Sequence, residues 1–250
     1  MLRDFIMHTD WLAFTFALSA VTFGAWVQAT VGFGYALLSA PLVALVAPSF
    51  VPGAIMVSSA VLSLTTALYE RSSIDRNGIG LALLGRIPGV ILAGVVAKQL
   101  GGADLNTVFG VIVLFAVGLS LSGLRLPLTA ASFCGAGFVS GLMGTLTSIG
   151  GPPMALVYQD AQAPRLRASL NAYFAAGSCM SIAGLHWAGH FGAKQLWDGA
   201  ALLPGCALGM LLSLPTRGWL AAGRTRQGVL AVATVAALAV VVKSCWQSVS

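Results

Sequence analysis

Arg86 is the one charge inside an apolar segment running from Gly78 to Ala97, two residues before Pro88. A guanidinium in hydrocarbon costs at least about 2.5 to 3.5 kcal/mol, so it must face a cavity or a partner, and the functional reading is an anion contact. Two glycine-rich interruptions offer the same chemistry by another route. Val31-Gly32-Phe33-Gly34-Tyr35 and Ser148-Ile149-Gly150-Gly151-Pro152-Pro153 sit deep inside apolar runs, with Gly34 and Gly151 separated by 151 − 34 = 117 residues. Where a chain leaves one helix, turns at glycine and starts another, the first N–H groups of the new helix have no intrahelical acceptor and bind anions. The aligned peptide dipoles add about half an elementary charge there, and Pro152 and Pro153 suit a helix start. Thr30, Thr147 and Ser148 can supply hydroxyls at that level, and Gln28 and Asn171 can orient oxyanions. The expected anion site is therefore Gln28, Thr30, Gly32, Phe33, Gly34, Tyr35, Arg86, Thr147, Ser148, Ile149, Gly150, Gly151 and Asn171.

Each of these residues has a plainer use. The glycines would also allow close packing of helices through small-xxx-small contacts. Arg86 would also snorkel or bond carbonyls freed near Pro88. Gln28, Asn171, Tyr173 and the Tyr158-Gln159 pair would also hydrogen-bond between helices. Two breaks at matching places in two halves favour the site, because hydrocarbon tolerates broken backbone only where it is buried in protein or lines a cavity.

Other chemistries find less support. His186 and His190 are spaced i, i+4 as a metal would accept, but no third ligand is near, and Trp187 and Lys194 mark a helix end at the interface. His186 remains a candidate for proton coupling. Cys134, Cys179, Cys206 and Cys245 are scattered singly as small apolar fillers. Ser148 has Leu146 rather than glycine two before it, and no histidine has a paired carboxylate in sequence. No metal, no cofactor and no enzymatic activity are expected.

The elements that must position these residues are apolar helices. Hydrophobic residues make up 58% of 250 positions and charged residues 8%, against roughly 25% charged in a soluble domain. From Trp11 to Tyr69 there are 59 residues without Asp, Glu, Lys or Arg, nearly threefold what one bilayer crossing needs. The net charge of +6 comes from isolated loop cations, which set topology and do not suggest nucleic acid. Trp11 to Val31 is too long for a signal-peptide core, so it reads as an uncleaved first helix.

Ten apolar segments divide five and five between residues 1–125 and 126–250. The first half reads as Trp11 to Val31, Phe33 to Ala47, Gly53 to Tyr69, Gly78 to Ala97 and Leu105 to Leu124. The second reads as Leu126 to Leu146, Pro152 to Gln159, Ser169 to Gly189, Leu196 to Leu214 and Gln227 to Val242. Pro88-Gly89 matches Pro204-Gly205 at an offset of 116, and Gly110-Val111 matches Gly228-Val229 at 118, so a duplication is expected. An odd number of crossings per half inverts the second half. With the Glu70 to Asn77 loop in the cytoplasm, eight cations (Arg71, Arg76, Arg125, Arg165, Arg167, Arg217, Arg224 and Arg226) fall inside. Four (Arg3, Lys98, Lys194 and Lys243) fall outside, as the positive-inside rule requires. The fold class expected is an all-α, polytopic membrane protein, an inverted repeat with broken or re-entrant hairpins and both termini outside.

The two stretches Gly24 through Pro41, GAWVQATVGFGYALLSAP, and Gly141 through Gln159, GLMGTLTSIGGPPMALVYQ, resemble the TauE/SafE family of sulfite-exporter-like membrane proteins, and the resemblance covers both halves. It implies secondary transport, as an exporter in the cell inner membrane, of small sulfur-containing anions such as sulfite or organosulfonates. The partners expected are that anion, the lipid bilayer, protons as coupling ion and a second copy of the chain as homodimer. A passive anion channel is the alternative. Tyr35 follows Gly34 where the family often continues in glycine, so it is expected to narrow that mouth and to contact a larger organic anion.

Overall fold

The computed structural model describes residues 11–99 and 102–216, and these are all-α: ten α-helices and two short 3₁₀ turns, with no strand among the described residues. In chain order they are α1 (Trp11–Val31), α2 (Tyr35–Val46), α3 (Gly53–Tyr69), α4 (Arg76–Gln99), α5 (Gly102–Leu121), α6 (Ala130–Thr147), α7 (Gly151–Tyr158), α8 (Ala163–Trp187), α9 (Ala193–Ala201) and α10 (Leu203–Thr216). Helices α1, α4 and α6, and the run Ala193–Thr216 formed by α9 and α10, are long and apolar enough to cross a membrane. Their outward faces carry exposed leucine and isoleucine, such as Leu84, Ile87 and Ile91 on α4 and Leu208, Leu211 and Leu212 on α10. Such faces are at home in lipid, which is as apolar as leucine.

Two helices are too short to cross. At 1.5 Å per residue, the 12 residues of α2 and the 8 of α7 extend about 18 and 12 Å, against a hydrocarbon core of about 30 Å. Each follows a break at the end of a longer helix, as expected. Other boundaries moved. The segment read as Ser169 to Gly189 begins at Ala163, because Pro164 suits a first turn and Arg165 and Arg167 sit on the helix rather than in a loop. The segment read as Leu196 to Leu214 is interrupted at Leu202, between α9 and α10. Pro88 lies inside a continuous α4. The segment Gln227 to Val242 and Arg217, Arg224 and Arg226 lie outside the described residues.

Glycine governs the closest packing. On α4, a Cβ at Gly85 would strike the Cys134 carbonyl and one at Gly89 the Phe138 carbonyl, so α4 and α6 meet backbone to backbone. On α10, Gly205 and Gly209 meet Leu18 and Thr22 of α1 in the same way. In both pairs, residues four apart on one helix meet residues four apart on the other, which is small-xxx-small packing. The third long contact joins α3 to α8. Helix α8, 25 residues long and the most polar of the long helices, packs on α3, α4, α6 and α7, and carries Asn171, Tyr173, Ser178 and Ser181 into the interior.

Candidate anion site between the two breaks

The first break turns on glycine: Gly32 and Gly34 have φ of +104° and +120°, in the region that excludes side chains. The second turns on a different residue from the one expected. Ser148 takes φ of +67°, held by its N–H on the Gly144 carbonyl at 2.8 Å and by its Oγ on the Pro52 carbonyl at 2.8 Å. Gly150 has an ordinary φ of −103°. The role of the second glycine pair is space: Gly150 lies against Ser140, and a Cβ at Gly151 would meet Phe174 and Phe33 at 3.6 and 3.7 Å, ordinary contact distances.

Both breaks open on one small cavity. Gln28, Phe33, Gly34, Arg86, Ser148, Ile149, Gly150 and Gly151 line it, as expected. So do Ala36 and Leu37 at the start of α2, Met56 and Ser59 of α3, Gly144 of α6, and Phe174, Ser178 and Ser181 of α8. Among the described residues no carboxylate lines it.

Arg86 is 4% exposed. Its guanidinium donates to Ser140 Oγ at 3.1 Å, Tyr173 OH at 3.0 Å and Ser181 Oγ at 2.9 Å, and lies over the Tyr173 ring at 5.2 Å from the centroid. The expected alternative of helix carbonyls near Pro88 is not what holds it: all three acceptors are side-chain hydroxyls on α6 and α8. Glycines make the room, since a Cβ at Gly177 would come within 2.8 Å of Nε and one at Gly144 within 3.0 Å of the NH2 nitrogen. No described carboxylate pairs with this cation, and its Nε has no hydrogen-bond partner. A buried guanidinium bound only to neutral groups keeps its full charge directed at the cavity.

Five expected residues do not line the cavity, each for a local reason. Thr30 and Thr147 turn their hydroxyls back to the carbonyls of Trp26 and Met143 at 2.7 and 2.8 Å, the usual satisfaction of a threonine inside a helix. Gly32 packs on Leu166 and Arg167 of α8. Asn171 donates to the carbonyls of Gly32 and Arg167 and accepts from Gln28 Nε2 at 3.0 Å, so it ties α8 to the first break. Tyr35 is fully buried with its OH 2.6 Å from Ser58 Oγ, facing α3 and Cys206. It is not among the residues that line the cavity. Gln28 lines the cavity, yet its amide is spent on Ser63, Asn171 and the Tyr35 N–H.

Each of the two described histidines meets a backbone carbonyl and neither lines the cavity: His186 Nδ1 lies 3.0 Å from the Phe191 carbonyl and His190 Nε2 2.8 Å from the Ala97 carbonyl. Tyr173, expected to hydrogen-bond between helices, does so by accepting from Arg86; residues not foreseen are Ser140 and Ser181, which also hold Arg86, and Ser59 and Ser178, on the third segment of each half. Their spacing, 178 − 59 = 119, lies close to that of the other matched positions and is the signal that could have found them.

Broken helices meeting at a cation-bearing cavity inside a bundle of membrane-length helices define a multi-pass membrane protein built as transporters are. The family model for the sulfite exporter TauE/SafE matches residues 16–240, and the chain belongs to that family of membrane transporters. The match takes in both breaks, Arg86, Ser59 and Ser178. No curated protein and no solved structure matches the chain.

Proposed function

We propose that the chain is a secondary transporter that exports small sulfur-containing anions across the cell inner membrane, exposing the cavity between the two breaks to each side in turn. The observation that carries this reading is Arg86: a buried cation lining the cavity, held by hydroxyls and paired with no described carboxylate. The N-termini of α2 and α7 add to its field, although Pro152 and Pro153 remove two donors from α7 and leave Gly150 and Gly151 to supply N–H groups there. With Tyr35 turned away, the argument for a larger organic anion lapses, and sulfite fits the reading as well as an organosulfonate.

Alternation between two states is supported by the exchange packing. Helix α4 of the first half seats on α6 of the second, α10 of the second on α1 of the first, and α3 on α8, as two inverted repeats related by a twofold axis would pack. Proton coupling and a homodimeric assembly complete the proposal. A coupled proton would travel on the anion or at the carboxylates of the loop ends, since no described carboxylate lines the cavity.

The test is uptake of labelled sulfite, sulfoacetate, taurine and sulfate by proteoliposomes, with and without an imposed pH gradient, for wild type, Arg86→Ala and Gly151→Leu. A Cβ at Gly151 meets only phenylalanine carbons at ordinary contact distances, so a leucine there is expected to fill the cavity. Saturable, gradient-driven flux of one sulfur anion, lost in both variants, is expected. Flux that follows voltage alone and does not saturate would make the protein a channel, and no flux of any sulfur anion from stable protein would remove the substrate class.

A further inference from the structure

Hydroxyls buried in membrane helices normally bond back to a carbonyl one turn earlier or to a neighbouring side chain. Each buried serine and threonine of the described residues has a hydrogen bond to protein, whether to a carbonyl one turn earlier (Ser58, Thr66), to a carbonyl of another helix (Ser39) or from a neighbouring amide or guanidinium (Ser63, Ser140, Ser181), with two exceptions. Ser59, 8% exposed on α3, and Ser178, 9% exposed on α8, have no hydrogen bond to protein, and both line the cavity. The contrast is sharp on α3, where Ser58, one residue earlier, donates to the Ala54 carbonyl at 3.0 Å and meets the Tyr35 OH. A third unmet donor is in the same wall: the buried Nε–H of Arg86. Two hydroxyls that line the cavity without a protein acceptor, beside a guanidinium with unused N–H groups, are the complement of an acceptor that the protein does not supply.

We infer that Ser59 and Ser178 are substrate-binding residues, which together with the Arg86 Nε–H grip the oxygens of an SO₃ head group from the two neighbouring helices α3 and α8. The inference rests on the transport reading for its substrate and adds the residues that recognise it. Ser59 comes from the third helix of the first half and Ser178 from the third segment of the second, so each half contributes one hydroxyl. A guanidinium sets the sign of the ligand; two hydroxyls on different helices require an acceptor with several oxygens, which chloride lacks. The bonds from Arg86 to Ser140, Tyr173 and Ser181 fix the guanidinium plane, which leaves the Nε–H, one hydrogen of the NH2 nitrogen and the two serines for the ligand.

The experiment measures binding of sodium sulfite and of sodium methanesulfonate, with sodium chloride as the comparison, to the purified full-length protein. It uses wild type, Ser59→Ala, Ser178→Ala and the double variant, with Ser58→Ala as the structural comparison. The double variant is expected to bind both SO₃ compounds at least about tenfold more weakly, as loss of hydrogen bonds to a charged ligand implies. Its ligand-free melting temperature should stay at the wild-type value, because neither hydroxyl bonds the protein. Ser58→Ala should do the reverse, with a lower melting temperature and unchanged affinity. Wild-type affinity in the double variant, absence of binding of both SO₃ compounds to wild type, or chloride binding with equal strength would each overturn the assignment. Proteoliposome flux keeps the two readings apart. Sulfite flux that survives the double substitution sinks the serine site and leaves transport standing. Serine-dependent binding without flux in wild type sinks transport and leaves the site.

Discussion

Arg167 of α8 clasps Glu70 at the end of α3, with Nε at 3.0 and 3.2 Å from the two carboxylate oxygens and the NH2 nitrogen at 3.0 Å from the nearer. Both side chains are largely shielded, at 17% and 11% exposure, and Arg167 also packs directly on Gly32 of the first break. Close by, Arg165 reaches Asp75 at 2.9 Å. Two ion pairs thus tie the loop between α3 and α4 to the start of α8 on the face that the positive-inside rule puts in the cytoplasm. The opposite face is joined near the second break by a neutral bond, Ser148 Oγ to the Pro52 carbonyl.

If the ion pairs latch the cytoplasmic side, loosening them must favour the inward-open state. Glu70→Gln keeps the shape and removes the charge, so a cysteine placed at Ala36, on the cavity wall, should react severalfold faster with an impermeant maleimide applied from the cytoplasmic side. Inside-out vesicles of a background without native cysteines provide the measurement. An unchanged rate would mean that the contact is static.

Gln28 and Asn171 were read as substrate contacts, but their amides are consumed by a network joining α1, α3, α8 and the first break. Asn171→Leu should therefore lower stability by about 1 to 3 kcal/mol, the cost of stranding buried partners, while the folded fraction transports with an unaltered KM. Thermal melting and initial-rate kinetics on the same preparation separate the two effects; a raised KM at unchanged stability would return Asn171 to the substrate.

Tyr35→Phe applies the same logic to a residue the sequence placed at the mouth. The hydroxyl lost is the one 2.6 Å from Ser58, so the expected change is a loss of about 1 kcal/mol in stability, with the KM for sulfite and for sulfoacetate both unchanged. A selective rise in the KM for sulfoacetate would show that the ring meets the organic end of the substrate.

What could be read from the sequence follows from what hydrocarbon forbids. A lone arginine, and glycine turns within apolar runs, are costly enough in lipid to announce themselves, and Arg86 and both breaks do share one cavity. Serine carries no such penalty. Ser58 and Ser59 look alike in the chain, and the packing of α3 alone decides that one bonds a carbonyl while the other faces the cavity. Arg165 and Arg167 were assigned to a loop because charge near an apolar run reads as its end. Their carboxylate partners, 90 and 97 residues away, are what let the helix extend through them. Ser148 was passed over as the turning residue because glycine stood beside it.

The α4–α6 contact predicts a difference between two glycines of one helix. Gly85 lies on the Cys134 backbone, whereas nothing stands within 4 Å of a Cβ at Gly80. Gly85→Val should prevent accumulation of folded protein, since backbone cannot yield as a side-chain tip can. Gly80→Ala should be neutral or stabilising by up to about 1 kcal/mol through helix propensity. Size-exclusion profiles of the two variants in detergent decide it, and a monodisperse Gly85→Val protein would show that the helices can separate.

Asp75 sets the acid limit of the latch face. Burial raises the pKa of its carboxyl, but the Gly78 N–H at 3.1 Å, Arg165 and the Tyr158 hydroxyl more than offset this, and the net value lies below the ordinary 3.8. A carboxylate whose pKa is lower folded than unfolded stabilises the fold at pH above the unfolded value, and that stabilisation disappears as pH falls through the folded one. The melting temperature should therefore be insensitive to this group between pH 7 and 5, by the usual carboxylate range, and fall below about pH 4. In Asp75→Asn, which cannot titrate, the protein should start from a lower melting temperature at pH 7, and the acid limb should flatten until the two curves converge. Melting curves for the pair across that range make the comparison. An acid limb equally steep in Asp75→Asn would transfer the effect to another carboxylate, with Glu70 next to be replaced.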